Sequence, residues 1–148
     1  MTNSICTMKS DYKNDIDILI IKLSAIPKEW NGEYSVLELK EAEFNWRQME
    51  WWAFYLEHKV KEILNADFTF PGDRYGRVAF DLKRIINWDI KGNVAFNYDV
   101  NIILNDKIAM DSSIAEHGFH GEIIVLFEPV YDDDGAFKEW HSNLKGGK

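Results

Sequence analysis

The chain has 148 residues, 46% hydrophobic and 14% aromatic, enough to build the core of one folded domain and too apolar for disorder. Its net charge of −8 counts against wholesale phosphate binding, and its single cysteine, Cys6, excludes an internal disulfide or a cysteine-built zinc site. No apolar run approaches the ~20 residues of a membrane helix. Met1–Ser10 lacks the long apolar core of a signal peptide, so the expected location is the cytoplasm.

Residues 14–26 read as a helix begun by Asn14 or Asp15 and ended by Pro27, followed by a turn at Lys28–Glu33 around Asn31-Gly32. A long helical pattern comes next, strongest over Trp46–Leu64 with Asn45 as its cap. Trp46, Met49, Ala53, Leu56, Val60 and Ile63 form the core stripe, and Glu50 and Glu57 lie at its margin. A short strand over Asp67–Phe70 leads into the turn Pro71–Gly76. Beyond it, Val78, Phe80 and Leu82 alternate with Asp81 and Lys83, and Ile86, Trp88 and Ile90 alternate with Asn87, Asp89 and Lys91. That period of two marks half-buried strands. Val94–Leu104 continues as strand, and Asp111–His117 is a short helix closed by Gly118. Gly121–Val130 is an apolar buried strand, Asp132–Gly135 a turn, and Ala136–Leu144 a last helix.

Asp and Lys are depleted in ordinary strands, yet here they stand two residues apart opposite a strongly apolar face. Acid-x-Lys occurs five times in the chain, but only Asp81-Leu-Lys83 and Asp89-Ile-Lys91 fall in strand-like patterns. The Asp89 copy alone has a strand-like acid upstream, Asp81, and a glycine directly after its lysine, Gly92. The plain alternative is a solvated strand face with a cross-strand ion pair, a common device in sheets. An acid from one strand with acid-x-Lys from the next can also hold a divalent cation beside a water molecule.

This pattern resembles the core of the PD-(D/E)XK phosphodiesterases, in which a helix precedes antiparallel strands carrying the acids, followed by a helix and a final strand. The segments Trp88-Asp-Ile-Lys91, Asn105-Asp106, Glu116-His-Gly-Phe-His-Gly121 and Phe137–Gly147 look like one branch of the type II restriction endonucleases. The likeness covers roughly residues 45–147. It implies an α/β fold with a restriction-endonuclease-like core, a central mixed sheet flanked by helices, over a single domain, 1–148. In that branch the chain continues with polar and basic residues, so the resemblance implies a catalytic part lacking some DNA-contacting surface. It further implies an endodeoxyribonuclease acting on double-stranded DNA with Mg²⁺. Asp81 and Asp89 would be metal ligands, Lys91 would stand beside the attacking water, and Glu57 would be a helical acid completing the site, with Glu50 in reserve. A homodimer is expected, because cutting both strands of a palindrome matches a two-fold protein.

Two departures weigh against this assignment. The family's proline before the first acid is Phe80 here, and a second register exists, with Asp73 as first acid and Asp81-Leu82-Lys83 as acid-x-Lys. Trp88 before the motif and Gly92 after it favour the later register. A basic strip for DNA would draw on Arg74, Arg77, Lys83, Arg84, Lys138 and Lys145. Trp46, Trp51 and Trp52 could stack on bases, although a helix core also accounts for Trp46. His117-x-x-His120 has metal spacing but flanks a glycine in a loop, which favours a structural role. A reading from another class is a small acidic interaction protein that neutralises a basic partner, consistent with the −8 charge and many aromatics.

Overall fold

The computed structural model describes residues 2–71, 80–94, 107–130 and 134–146. The architecture is mixed α/β. Among the described residues, five helices surround a three-stranded mixed sheet: α1 (Thr2–Leu23), α2 (Gly32–Glu41), α3 (Trp51–Leu64), β1 (Leu82–Lys83), β2 (Asn87–Val94), α4 (Lys107–His117), β3 (His120–Phe127) and α5 (Ala136–Leu144). β2 is central, antiparallel to β1 and parallel to β3, and the β2-to-β3 connection passes through α4. No described helix is long and apolar enough to cross a membrane.

One face of the sheet carries Leu82, Trp88, Ile90 and Ile123, which pack with Leu19 of α1 and with Leu56, Val60 and Leu64 of α3 in a single cluster. Gly121 lets the Trp88 ring lie flat on β3, since a Cβ there would stand 2.1 Å from the ring. A Cβ on Gly92 would likewise meet Phe127 at 2.8 Å and Leu56 at 3.4 Å, which places α3 over this apolar face. With α1 and α3 on that side, strand alternation turns Asp89 and Lys91 to the opposite face.

The β1–β2 turn contains no glycine or proline, and a buried carboxylate organises it instead. Asp15, 0% exposed, accepts hydrogen bonds from the Ile85 and Ile86 N–H groups at 3.0 and 3.2 Å and from the Trp88 indole at 3.1 Å. Its second oxygen accepts from the Arg84 guanidinium at 2.8 Å. Four donors compensate the cost of burying the charge. Asp15 therefore lies mid-helix in α1 and is not the cap expected of it, and the helix begins a dozen residues earlier in the sequence. Arg84 is committed to Asp15 and leaves the proposed basic strip.

The long helical pattern expected after the Lys28–Glu33 turn, strongest over 46–64, is two helices with a break. α2 starts where Asn31 accepts the Tyr34 N–H at 3.1 Å, within the expected turn. It ends in a Schellman motif, with Phe44 N–H donating to Leu39 O at 3.0 Å and Glu43 N–H to Lys40 O at 3.1 Å. Glu43 takes φ 56°, a position usually given to glycine, which hides this stop from a reading of residue types. α3 then starts after Glu50, so Met49 is 70% exposed and outside the core expected for it, while Leu56 and Val60 are buried as expected. The expected strand at Asp67–Phe70 reduces to one bridge, Thr69 to Lys83. Ala136–Leu144 forms α5 over the expected range, and its His141 is buried with Nε2 donating to Trp46 O at 2.7 Å. The Pro71–Gly76 turn, most of the expected 94–104 strand, and Asp73, Arg74 and Arg77 lie outside the described residues.

Candidate functional site

Asp89 sits mid-strand in β2 between Trp88 and Ile90, whose side chains anchor the backbone in the core. Asp81, just before β1, clamps the same stretch. Its N–H donates to Trp88 O at 2.9 Å, and its Oδ2 accepts the Ile90 N–H at 2.7 Å. These two bonds bracket Asp89 and hold the Asp81 carboxylate beside it. Lys91 follows Asp89 on the same strand face, half-buried.

β3 supplies the rest. Its parallel register sets His120 opposite Asn87 and Glu122 opposite Asp89, so both side chains share the polar face. His120 Nε2 stands 2.9 Å from Asp89 Oδ2 and 3.2 Å from Glu122 Oε1. The His120, Asp89 and Glu122 side chains are 1%, 3% and 14% exposed. Facing two carboxylates, which when ionised can only accept, Nε2 is the ring nitrogen placed to donate to them. The second oxygen of Glu122, Oε2, is buried and accepts no hydrogen bond.

Burial is the first cause that raises the Asp89 carboxyl, and the charges of Asp81 and Glu122 push it further. His120 and Lys91 pull the other way, and the balance stands at about 6. The burial and charged neighbours behind this shift set Asp89 apart from a solvated strand face.

Of the residues singled out in the sequence, the structure brings Asp81, Asp89 and Lys91 together on one face. Lys83, the lysine of the alternative register, is on β1 with its backbone paired to Thr69. The lysine acting on Asp89 is Lys91. Glu57 stands half-buried on α3, whose apolar stripe covers the Trp88 face, and Glu50 is exposed before the first turn of that helix. Among the described residues, neither helical acid is one of the charges acting on Asp89. Sequence reasoning set His120 aside as structural and did not single out Glu122. The available signal was an imidazole and a carboxylate two residues apart at the start of an apolar strand, the same alternation that marked Asp89 and Lys91.

A second group of possible metal donors, Glu38, His58 and Glu62, bridges α2 and α3, with Glu38 and His58 half-buried and Glu62 exposed. It is already tied together by Lys59, whose Nζ is 2.7 Å from Glu38 Oε2, and by the Tyr55 hydroxyl donating to Glu38 Oε1 at 3.3 Å. No family model, curated protein or solved structure matches the chain.

Proposed function

We propose that this chain is a divalent-metal-dependent phosphodiesterase of the PD-(D/E)XK type that cleaves double-stranded DNA, as a type II restriction endonuclease or the catalytic part of one. One observation carries the reading: Asp81, Asp89 and Lys91 share a polar face whose reverse is fixed in the core, with Asp81 hydrogen-bonded across Asp89 to Ile90 at 2.7 Å. The order of elements also supports it, because α3 precedes the antiparallel β1–β2 pair, and α4 leads to a parallel final strand.

The donor chemistry fits Mg²⁺, which takes carboxylate and water oxygens. Asp81 and Asp89 would hold it, and a cation there acidifies bound water and stabilises charge on phosphate oxygens. The chain's own contribution is positional. Trp88 and Ile90 lock the strand so that Asp89 and Lys91 keep a fixed spacing. The Lys91 ammonium offers donors to a water or a phosphate oxygen beside the carboxylates, and its charge favours deprotonation of that water. Asp89 must be ionised to serve, and a bound cation favours that form against the burial and neighbouring acids that oppose it.

The test is incubation with supercoiled plasmid and with a long genomic DNA in Mg²⁺, so that a rare recognition sequence is not missed. The wild type is expected to nick or linearise the DNA and to be stopped by chelator. Asp89→Asn and Lys91→Ala should each lower the rate by about 100-fold or more. The absence of cleavage of either DNA, or equal cleavage by the variants, would sink the proposal.

A further inference from the structure

We infer that Asp89, His120 and Glu122 form a site for a divalent transition ion, Mn²⁺, Co²⁺ or Zn²⁺, in preference to Mg²⁺. For its use in catalysis this rests on the hydrolase reading, because Asp89 belongs to both ligand sets. As a binding site it stands on separate observations.

The first is geometry. Ions of this class sit about 2.0–2.2 Å from imidazole nitrogen and carboxylate oxygen, so adjacent donors around one ion stand roughly 3 Å apart. His120 Nε2 is already 2.9 Å from Asp89 Oδ2 and 3.2 Å from Glu122 Oε1, and one donor atom from each residue falls within 4.8 Å of the others. Exchange of the shared Nε2 proton for an ion therefore needs little movement of the side chains. Both strands are held from behind by Trp88, Ile90 and Ile123, so the donors are preorganised.

The second observation is the state of Glu122. Its Oε2 is shielded from solvent and accepts no hydrogen bond, although it belongs to a carboxylate that shares one imidazole proton with Asp89. Buried carboxylate oxygens are normally satisfied by donors or by metal ions. Asp81 and Glu122 both act on Asp89, where among the described residues His120 and Lys91 are the opposing charges, and a divalent ion would relieve the repulsion among the acids.

The third is donor type. An imidazole ligand favours manganese, cobalt and zinc over magnesium, which prefers all-oxygen shells and keeps its waters. The protein proton released from Nε2 makes binding pH-dependent in the ordinary sense for histidine ligands.

Titration calorimetry of the full chain with MnCl₂, ZnCl₂ and MgCl₂ tests this without DNA. One ion of Mn²⁺ or Zn²⁺ per chain should bind about 100-fold or more tightly than Mg²⁺. His120→Gln should lower the Mn²⁺ and Zn²⁺ affinities by ~100-fold and change Mg²⁺ binding little, with circular dichroism confirming an intact fold. If His120→Gln does not fold, Glu122→Gln carries the same comparison, since that side chain is the least buried of the three. Lys91→Ala separates the two readings: it should abolish DNA cleavage while retaining transition-ion binding. Binding of Mn²⁺ that depends on His120 in a protein that cleaves no DNA keeps the site and removes the hydrolase reading. Equal affinity for Mn²⁺ and Mg²⁺, affinity unaffected by either substitution, or no binding at all overturns the inference.

Discussion

Asp89 and His120 face one another across parallel strands at 2.9 Å, with neither side chain more than 3% exposed. Two further carboxylates, Asp81 and Glu122, act on the same group, and together with burial they disfavour the ionised form of Asp89. Its folded-state ionisation lies at about 6, above the ordinary 3.8, so the folded chain keeps a proton that the unfolded chain has already lost. Stability of the metal-free protein should therefore fall as pH rises across that window, with the penalty complete above it. Asp89→Asn removes the charge and keeps a partner for His120. In chelator at neutral pH this variant should melt higher by ~2–4 °C, and its melting temperature should lose the dependence between the two values. A lower melting temperature would show that the cluster is stabilising without metal.

Asp15 should be the most damaging single polar position in the fold. Removing it leaves the Arg84 guanidinium, two turn amides and the Trp88 indole without their acceptor. Asp15→Ala is expected to cost about 3–5 kcal/mol in urea unfolding, and Asp15→Asn less, because the amide oxygen still accepts. A cost near that of a surface substitution would mean that the β1–β2 turn stands on its own.

Gly121 supports the site from behind. A methyl group there would stand 2.1 Å from Trp88, one residue before Asp89, so the ring must move. Gly121→Ala should lose about 1–3 kcal/mol, shift the tryptophan emission, and weaken ion binding through the displaced strand. Unchanged emission and affinity would show that the ring has room to yield.

The polar face was legible because its alternation is local: Asp81, Asp89 and Lys91 declare themselves against Leu82, Trp88 and Ile90 within eleven residues of chain. His120 and Glu122 obey the same alternation, but their place beside Asp89 depends on parallel register across a crossover, which no local spacing encodes. The α2–α3 break was hidden because Glu43 and Asn45 take positive φ without being glycine. The role of Asp15 was hidden because its partners lie some 70 positions away in sequence. Glu57 was hard to place for a related reason, since a helical margin does not reveal which face of the sheet its helix covers. Glu57→Gln is accordingly expected to change Mn²⁺ affinity by less than about two-fold, against the far larger losses typical of ligand substitutions. A loss as large as that of Glu122→Gln would return Glu57 to the site.

The most direct measurement of the central claim is anomalous diffraction from crystals soaked in Mn²⁺. The strongest anomalous peak should lie on the polar face of β2, within about 2.0–2.2 Å of donor atoms of Asp89, His120 and Glu122, with Asp81 and Lys91 adjacent. A strongest peak at Glu38, His58 and Glu62, or no peak against Asp89, would contradict the account.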